Sequence, residues 1–401
     1  MLPFNPFEKY PNWSSSCVWL NQKYTNTHID FFCGAGGLSI GFERAGFKTV
    51  LAVDWNEPAI ETFNYNRPSS KPIGKVSDIK DLFQDSESFG EIDVVTGGPP
   101  CQSFSTANRQ RIIDDPRNNL YKEFVRCCSK IKPKVIVMEN VIGIRKVSDQ
   151  IIQDFKNIGY NGCAFLFNAS DFGLPQNRRR IFFIFVSSKI YNNYEDRLIK
   201  FENFINDTKN RSKEFKLKDA LLGLRPLKPN TLKNRTQTEN ENSGFTCDRT
   251  YSLGSIEYLK LINGESDLAS VYIFNHKARY NNSRDIEIFT RLPQGGNSLD
   301  ESIEDIMPYK SRNDIFKDKY YKLKEDDVSK TICAHMKLDC NMYIHPTQPR
   351  GLSPREAARI QTFPDNYIFK GTLGEWYRQI GNAVPPVLAY HISTAIKEAI
   401  L

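Results

Sequence analysis

The stretch DFFCGAGGLSIGF, residues 30–42, joins the end of one apolar run to the start of another through closely spaced glycines. The preceding run HIDFF predicts a buried strand, and LSIGFERAG predicts a helix. Gly34, Gly36 and Gly37 lie between them, where glycines let the main chain turn tightly and approach a bound nucleotide closely. The stretch therefore predicts a strand, a glycine turn and a helix, either as a nucleotide site or as a tight turn without a ligand.

The same alternation continues along the chain from about residue 27 to residue 188. TVLAVD, EIDVVTG, KVIVMEN and RRIFFIFVSS are further predicted strands, and none alternates cleanly between apolar and polar residues. This is typical of strands that are buried on both faces. Because the strands are separated by helical stretches, we predict an α/β fold with a doubly wound, mainly parallel, Rossmann-like sheet.

The composition changes after residue 188, where Asn, Lys, Thr and Asp rise and the apolar runs shorten. Order returns at SPRE, where Ser353 and Glu356 form a predicted capping box that starts a helix ending near Phe363. An apolar terminal helix should follow from about Val387. We predict a first domain over 1–188, a smaller inserted domain over 189–350, and a segment over 351–401 that completes the first.

Composition limits the class of protein. The 401 residues include 54 Lys and Arg against 47 Asp and Glu, a net charge of +7 that permits a polyanionic partner. The nine cysteines are odd in number and have no paired spacing, which predicts reduced thiols in the cytoplasm. No stretch approaches the roughly 20 apolar residues of a membrane span, so we expect neither a span nor a signal peptide.

The stretch VVTGGPPCQSFS, residues 94–105, presents one cysteine on a stiff loop. Two glycines end a predicted strand, and Pro99 and Pro100 restrict the main chain that follows. Cys101 then resembles a reactive nucleophile, provided that a neighbouring group stabilises its thiolate. The alternative is an ordinary packed cysteine.

An acid and a group of arginines form two further candidate sites. VIVMENV predicts a strand that ends in Glu139, and burial there would raise the pKa of an acid until it can donate a proton. In QNRRRIFFIF, Arg178 and Arg180 should lie on one face of a strand, where they could orient an acid or bind a carbonyl. The alternatives are a solvated or capping acid and an exposed basic strand end.

A metal site is not expected. Cys333, His335, Cys340 and His345 could be drawn as zinc ligands, but their spacing fits no usual ligand pair. KTICAHMKLDCNMYIHP, which contains all four, alternates as a β-hairpin would.

In this order, the motifs resemble those of the cytosine-5 DNA methyltransferase family. The stretches that carry the resemblance are DFFCGAGG, Asp54-Trp55, Asp78-Ile79, GGPPCQSFS, ENV, QNRRR, RGLSPREAARIQTFP and GNAVPP. They span about 28–188 and 350–401. The resemblance implies transfer of a methyl group from S-adenosylmethionine to C5 of a cytosine flipped out of a specific DNA sequence.

The resemblance also implies catalytic roles. Cys101 would add to C6 of the cytosine, and Glu139 would hold or protonate N3. Arg178 and Arg180 would position the acid and the carbonyl group of the base.

For the cofactor, the resemblance implies a pocket built around the glycine turn and closed by the C-terminal segment. Asp54 would bind the ribose, although Asp78 could equally be an ordinary cap residue. The residues expected at S-adenosylmethionine are Phe32, Gly34, Ala35, Gly36, Gly37, Leu38, Asp54, Trp55, Asp78, Ile79, Gly98, Asn382, Ala383 and Val384.

The resemblance makes double-stranded DNA the partner and the inserted segment a target recognition domain. The residues expected to contact DNA are Ser105, Arg109, Arg117, His276, Arg279 and Arg284. A monomer, a bacterial restriction-modification or defence role, and a cognate restriction endonuclease encoded nearby are further expectations.

Three alternatives stay open. A tRNA methyltransferase would keep the chemistry, although the long insert argues against it. A catalytically silent DNA-binding regulator would not need Cys101, Glu139, Arg178 and Arg180 together. An NAD-dependent oxidoreductase would rest on the glycine turn alone.

Overall fold

The structure, a computed structural model, describes residues 23–83, 90–100, 119–233, 248–249, 257–264, 272–308 and 319–401. The chain packs as two compact units. The sheet unit comprises Trp19–Gly173, Arg178–Lys213 and Ala383–Leu401, and the insert unit includes Leu174–Asn177 and Glu214–Asn382. These limits describe packing, and the functional domains expected to divide near residues 188 and 350 stay a prediction.

The sheet unit contains a mixed sheet of seven strands among the described residues, in the order β3-β2-β1-β4-β5-β7-β6. β7 alone runs antiparallel to its two neighbours, β5 and β6. The predicted doubly wound, mainly parallel α/β sheet is therefore confirmed. The strands are β1 (Asn26–Phe31), β2 (Phe47–Asp54), β3 (Gly74–Val76), β4 (Val94–Gly97), β5 (Val135–Val141), β6 (Tyr160–Asn168) and β7 (Arg179–Ser187), with β8 (Asp248–Arg249) and β9 (Tyr272–Ile273) paired in the insert unit.

The helices cover both units. They are α1 (Gly37–Arg44), α2 (Glu57–Tyr65), α3 (Asn119–Ile131), α4 (Ser148–Asn157), α5 (Tyr194–Arg211), α6 (Leu217–Leu221), α7 (Glu257–Asn263), α8 (Ser283–Arg291), α9 (Pro354–Ile360), α10 (Leu373–Asn382) and α11 (Pro386–Ala399). None that is described is long and apolar enough to cross a membrane.

The main core lies between the central strands and helices α3 and α4. Ile29, Val95, Ile136 and Phe183 contribute from four adjacent strands and are fully buried. Since these side chains leave water on folding, their burial supplies the dominant favourable term for the sheet unit. The central strands thus explain why the sequence shows apolar runs instead of alternation.

The last helix returns to the sheet unit and packs closely against α1. A Cβ at Gly41 would lie 2.4 Å from the Cβ of Ala389, so only a glycine allows this approach. The Ser393 hydroxyl also donates to the carbonyl of Gly41 at 3.1 Å. The helix that follows the glycine turn is therefore fixed by the end of the chain.

Helix α9 begins as predicted and ends earlier than predicted. Ser353 and Glu356 form the reciprocal capping box, so that prediction is confirmed. The helix ends at Ile360 instead of near Phe363 because Thr362 is left-handed, with φ 61°. Phe363 N–H donates to the Ala358 carbonyl and Thr362 N–H to that of Arg359, which is a Schellman ending.

Candidate active site

Polar groups from five strands meet at one edge of the sheet. β1, β2, β4 and β5 are parallel, so their carboxyl ends lie on the same side, and the antiparallel β7 begins there. Ligands of open α/β sheets bind at this edge. The motifs that the sequence analysis singled out in the sheet unit lie at this edge.

The glycine turn forms as the sequence predicts. It leaves β1 through Phe32, at φ 55°, and passes Gly34, at φ 52°, and Gly36, at φ 80°, before α1 begins at Gly37. A Cβ at Gly37 would lie 2.3 Å from the carbonyl oxygen of Val384, so this part of the C-terminal segment touches the turn. An added Cβ at Gly34 meets nothing within 4 Å, which leaves that side of the turn open.

The side chains of the turn are buried or partly buried. Ala35 and Leu38 are buried, and Phe32 packs partly buried against the main core. Ala383 belongs to the sheet unit, and its Cβ would lie 3.1 Å from a Cβ added at Gly37. Asn382 is the last residue of α10 in the insert unit.

Asp54 ends β2 and holds the turn from the next strand. Its carboxylate accepts the N–H of Gly34 at 2.9 Å and that of Asn56 at 2.8 Å. Because a carboxylate only accepts hydrogen bonds, this group is suited to a hydroxyl donor. The adjacent Trp55 is 71% exposed, an unusual position for a large aromatic side chain.

The next turn places Asp78 and Ile79 after β3. Asp78 caps a short 3₁₀ helix (Ile79–Asp81) by accepting the N–H of Lys80 at 3.0 Å. Ile79 is buried in the main core. Asp78 thus has the cap role that was its alternative interpretation, and a cofactor role at either residue stays a prediction.

The described start of the cysteine loop contacts β5. A Cβ at Gly98 would lie 3.3 Å from Oε2 of Glu139, and Asn140 donates its side-chain amide to the Pro99 carbonyl at 2.9 Å. Sequence reasoning assigned no role to Asn140, although its place beside Glu139 was a signal. The loop therefore begins within reach of the acid.

Glu139 forms an ion pair with Arg180, whose Nε lies 3.0 Å from Oε1. Arg180 stands opposite Val141 in the antiparallel pair, which makes Glu139 its diagonal neighbour on the same face. Arg178, just before β7, is buried and contributes positive charge nearby. The three side chains predicted to act together are thus brought together.

Burial controls the electrostatics of this group. Desolvation raises the pKa of the Glu139 carboxyl above its usual value, and the charges of Arg180 and Arg178 reduce the shift. An acid with a raised pKa can hold or release a proton nearer neutral pH. The group is therefore suited to stabilise a charge that appears on a bound ligand.

A buried polar chain under the glycine turn was missed by sequence reasoning. Thr96 donates to Asp30 at 2.7 Å, so His28 Nε2–H must be the donor in its 2.9 Å contact with Thr96. Ser39 donates to the other oxygen of Asp30 at 2.6 Å, and Thr49 lies 3.1 Å from the histidine Nδ1. The chain ties β1, β2 and β4 to α1.

Part of the prediction lies outside the described residues. Cys101, Ser105, Arg109 and Arg117 fall there.

The candidate DNA contacts of the insert unit occupy different positions. His276 is buried, with Nδ1 2.9 Å from the Ser353 hydroxyl and Nε2 2.8 Å from the Arg225 carbonyl. Such a side chain offers no surface to a duplex, so we leave it out of the proposal below. Arg279 donates to the carbonyls of Met336 and Lys337, and Arg284 is exposed on α8.

The predicted hairpin around Cys333 and Cys340 is wrong. The segment forms two 3₁₀ helices, Ala334–Lys337 and Asn341–Tyr343, because Met336 turns inward and is fully buried. Among the described residues, no group of three or more His, Cys, Asp or Glu side chains is placed to hold a metal ion.

Comparison with known proteins adds a family. The profile described as C-5 cytosine-specific DNA methylase matches residues 26–398. Type II methyltransferase M.DdeI of Desulfomicrobium norvegicum is 32% identical, over 92% of this chain and 88% of that protein. Type II methyltransferase M1.HphI of Haemophilus parahaemolyticus is also 32% identical, over 92% and 86%.

Solved structures share the fold. A crystal structure described as that of a DNA modification methyltransferase encoded within an E. coli prophage has a TM-score of 0.70 and 27% identity, covering 94% of this chain and 99% of that one. The S. pombe Dnmt2 methyltransferase has a TM-score of 0.51 at 16% identity, over 94% and 100%, which is a likeness of fold alone.

Proposed function

The chain belongs to the C-5 cytosine-specific DNA methylase family and is a DNA cytosine-5-methyltransferase, and on that premise we propose that it acts on a flipped cytosine in a specific duplex sequence through an adduct of Cys101. The observation that carries the proposal is the pair of Glu139 and Arg180 beside Gly98, three residues before the cysteine. The alternatives of a silent regulator and an NAD-dependent oxidoreductase give this group of side chains no role.

The sheet edge fits S-adenosylmethionine as the cofactor. Three groups on adjacent turns suit three parts of this cofactor. The open side at Gly34 suits the methionine end, the carboxylate of Asp54 suits the ribose, and the exposed indole of Trp55 suits the adenine ring. The remaining cofactor residues in this proposal are those expected from the resemblance, including Asp78, Ile79 and Asn382. When bound, this group supplies an electrophilic methyl group.

Cys101 provides the covalent step. C5 of cytosine is a poor nucleophile, but addition of the thiolate to C6 moves the ring electrons toward C5 and N3. After methyl transfer to C5, a base, for which water can serve, takes the C5 proton, and the electrons of the C–H bond restore the double bond and expel the thiolate. Since C6 is hidden in stacked DNA, the cytosine must leave the helix at a cost of a few kcal/mol.

Glu139 stabilises the charge that this addition creates. Its raised pKa favours a proton shared with, or held at, N3 of the base while Cys101 is attached. Arg180 fixes the carboxyl group from the side, and Arg178 supplies a second cation for the acid and the carbonyl of the base. The contact with the acid supports the role of Arg180, and the role of Arg178 is the one that the resemblance implies.

We also propose how the enzyme meets DNA and where it works. The segment 189–350 would be the target recognition domain and would contact DNA through Arg279 and Arg284. The loop after Cys101 would contact DNA through Ser105, Arg109 and Arg117. Because M.DdeI and M1.HphI are named type II methyltransferases, we propose a restriction-modification role in the cytoplasm, as a monomer, with a cognate endonuclease encoded nearby.

Bisulfite sequencing of unmethylated plasmid, treated with the protein and S-adenosylmethionine, tests the proposal. Protected cytosines in one short recurring sequence are expected, and Cys101→Ala should abolish them while cofactor binding remains. Cys163→Ala, which changes a half-buried cysteine of β6, is the matched control and should retain activity. Full activity in Cys101→Ala contradicts the proposal, as do protected cytosines in tRNA, treated in parallel, with none in the plasmid.

A further inference from the structure

The segment Ile79–Phe83 is held to helix α3 through its main-chain carbonyl groups. Arg126 donates from Nη1 to the Leu82 carbonyl at 3.1 Å and from Nη2 to the carbonyls of Ile79, at 3.0 Å, and Lys80, at 3.4 Å. One guanidinium thus fixes three carbonyl directions in the 3₁₀ turn. Its planar fork of donors makes this possible, and an ammonium group cannot reproduce it.

The arginine is itself held in place. Its Nε donates to Glu123 at 2.6 Å, about one turn earlier on α3. One turn later, Lys130 donates to the carbonyl of Phe83, a non-glycine residue with φ 56°. Ile79 and Phe83 bury their side chains in the main core, so the segment is gripped on its side-chain and main-chain faces.

We propose that Arg126 is a positioning residue for the cofactor, acting through the turn that presents Asp78 and Ile79. The inference rests on the proposed function, which places these two residues at S-adenosylmethionine. Asp78 is exposed and precedes the first carbonyl that Arg126 binds, so the turn's orientation decides which atoms face the ligand. Arg126 is not among the site residues predicted from the sequence.

The physical reason lies in the populations of the turn. Without the guanidinium, the turn keeps its buried anchors and loses the bonds that orient its main chain. The apparent affinity for a ligand is proportional to the fraction of molecules whose site is correctly formed, so it falls when that fraction falls. Substitution should therefore act on cofactor affinity, with little effect on chemistry once the cofactor is saturating.

Three variants of the full chain test the inference. Arg126→Gln removes the fork, Arg126→Lys keeps the charge, and Lys122→Gln removes an exposed charge from the same helix as the matched control. Calorimetric binding of S-adenosylmethionine and steady-state methylation of DNA give Kd, both KM values and kcat, at a temperature where each variant is folded by circular dichroism.

Arg126→Gln should raise Kd and KM for S-adenosylmethionine about tenfold, as the loss of charged hydrogen bonds predicts. Arg126→Lys should fall between that variant and wild type, and it decides the matter where the glutamine variant does not fold. KM for DNA, kcat and the Lys122→Gln variant should stay within about twofold of wild type.

Two outcomes overturn the inference alone. One is unchanged cofactor affinity in both Arg126 variants. The other is a fall in kcat together with a rise in both KM values, which would give Arg126 a merely structural role. Wild-type protein that binds no S-adenosylmethionine would instead overturn the proposed function, and this inference with it.

Discussion

Two glutamates, one in each unit, pair with an arginine and differ in the form they prefer. In the sheet unit, Glu139 meets Arg180 at 3.0 Å, and burial raises the pKa of its carboxyl. In the insert unit, Glu356 meets Arg350, and the arginine lowers the pKa of that carboxyl well below its usual range. The same two residue types thus give one acid that can take up a proton and one that stays ionised.

The number and geometry of donors explain the difference. Glu356 accepts from both terminal nitrogens of Arg350 and from the Ser353 N–H at 2.7 Å. The bidentate arginine and the helix N-terminus both favour the carboxylate. The Nε contact of Arg180 with Glu139 and the nearby charge of Arg178 do not offset the loss of water. A carboxylate that accepts many hydrogen bonds has a structural role, and one that accepts few is available for chemistry.

The largest expected effect is on catalysis at Glu139. Glu139→Gln keeps the shape of the side chain and removes the proton exchange, so methylation should fall about 10²–10⁴-fold. Single-turnover methylation of a plasmid measures the loss. Glu202→Gln, at an exposed acid of α5, is the control and should be fully active. Wild-type turnover by Glu139→Gln would remove the functional side of the difference between the two acids.

The next effect is on stability at Glu356. Glu356→Gln leaves Arg350 buried without its counter-charge, and breaking such a pair costs about 3–5 kcal/mol of unfolding free energy. Urea denaturation at neutral pH, followed by fluorescence, measures the cost. If the variant is as stable as wild type, the full set of donors around Glu356 has no structural value, and the interpretation of the pair is wrong.

Local chemistry made one of these acids predictable from sequence. SPRE predicted the bond between Ser353 and Glu356 because a capping box is formed by residues three positions apart. The contribution of Arg350 was not predictable, since its direction depends on the packing of the segment before the helix. The early helix end was missed for a similar reason, because Thr362 takes a left-handed conformation that threonine rarely adopts.

The parallel strands explain why the sequence motifs meet at one sheet edge. Motifs that each follow a parallel strand must meet there, and the structure brings the glycine turn, Asp54 and Glu139 to it. The pairing of Glu139 with Arg180 needed the antiparallel register of β5 and β7, which no local pattern encodes. The buried chain through Asp30 was missed because its members come from separate elements and look like ordinary strand residues.

Asp30 is another buried acid, and hydroxyl groups are its side-chain donors. Burial raises its pKa to about 6, and the hydroxyls of Ser39 and Thr96 only reduce the shift. Because the folded pKa is raised, its contribution to stability is present at low pH and lost as pH rises through about 6. From its ordinary value of 3.8 the shift is worth about 3 kcal/mol.

Urea denaturation of wild type and Asp30→Asn from pH 4 to pH 7 tests this. Buried histidines such as His28, whose pKa falls to about 3, impose the opposite slope on both proteins, so the difference between the two curves is the measured quantity. The free energy of unfolding of Asp30→Asn should increase relative to that of wild type as pH rises. Parallel curves would mean that hydroxyl donors can hold a buried carboxylate ionised as well as an arginine does.

The smallest expected effect is the stability of Glu139→Gln, and its sign separates the two pairs. A raised pKa means that the carboxylate costs free energy once pH passes the folded value, so wild type alone bears this cost at pH 8. Relative to wild type, Glu139→Gln should therefore be more stable at pH 8 than at pH 5. The attraction of Arg180 is already part of the net pKa shift, so the difference between the two pH values reports the ionisation of Glu139. Urea denaturation of both proteins at the two pH values gives the sign. A variant that loses stability relative to wild type as pH rises would mean that Glu139 is held ionised as Glu356 is, and the acid would then have no proton to offer a bound base.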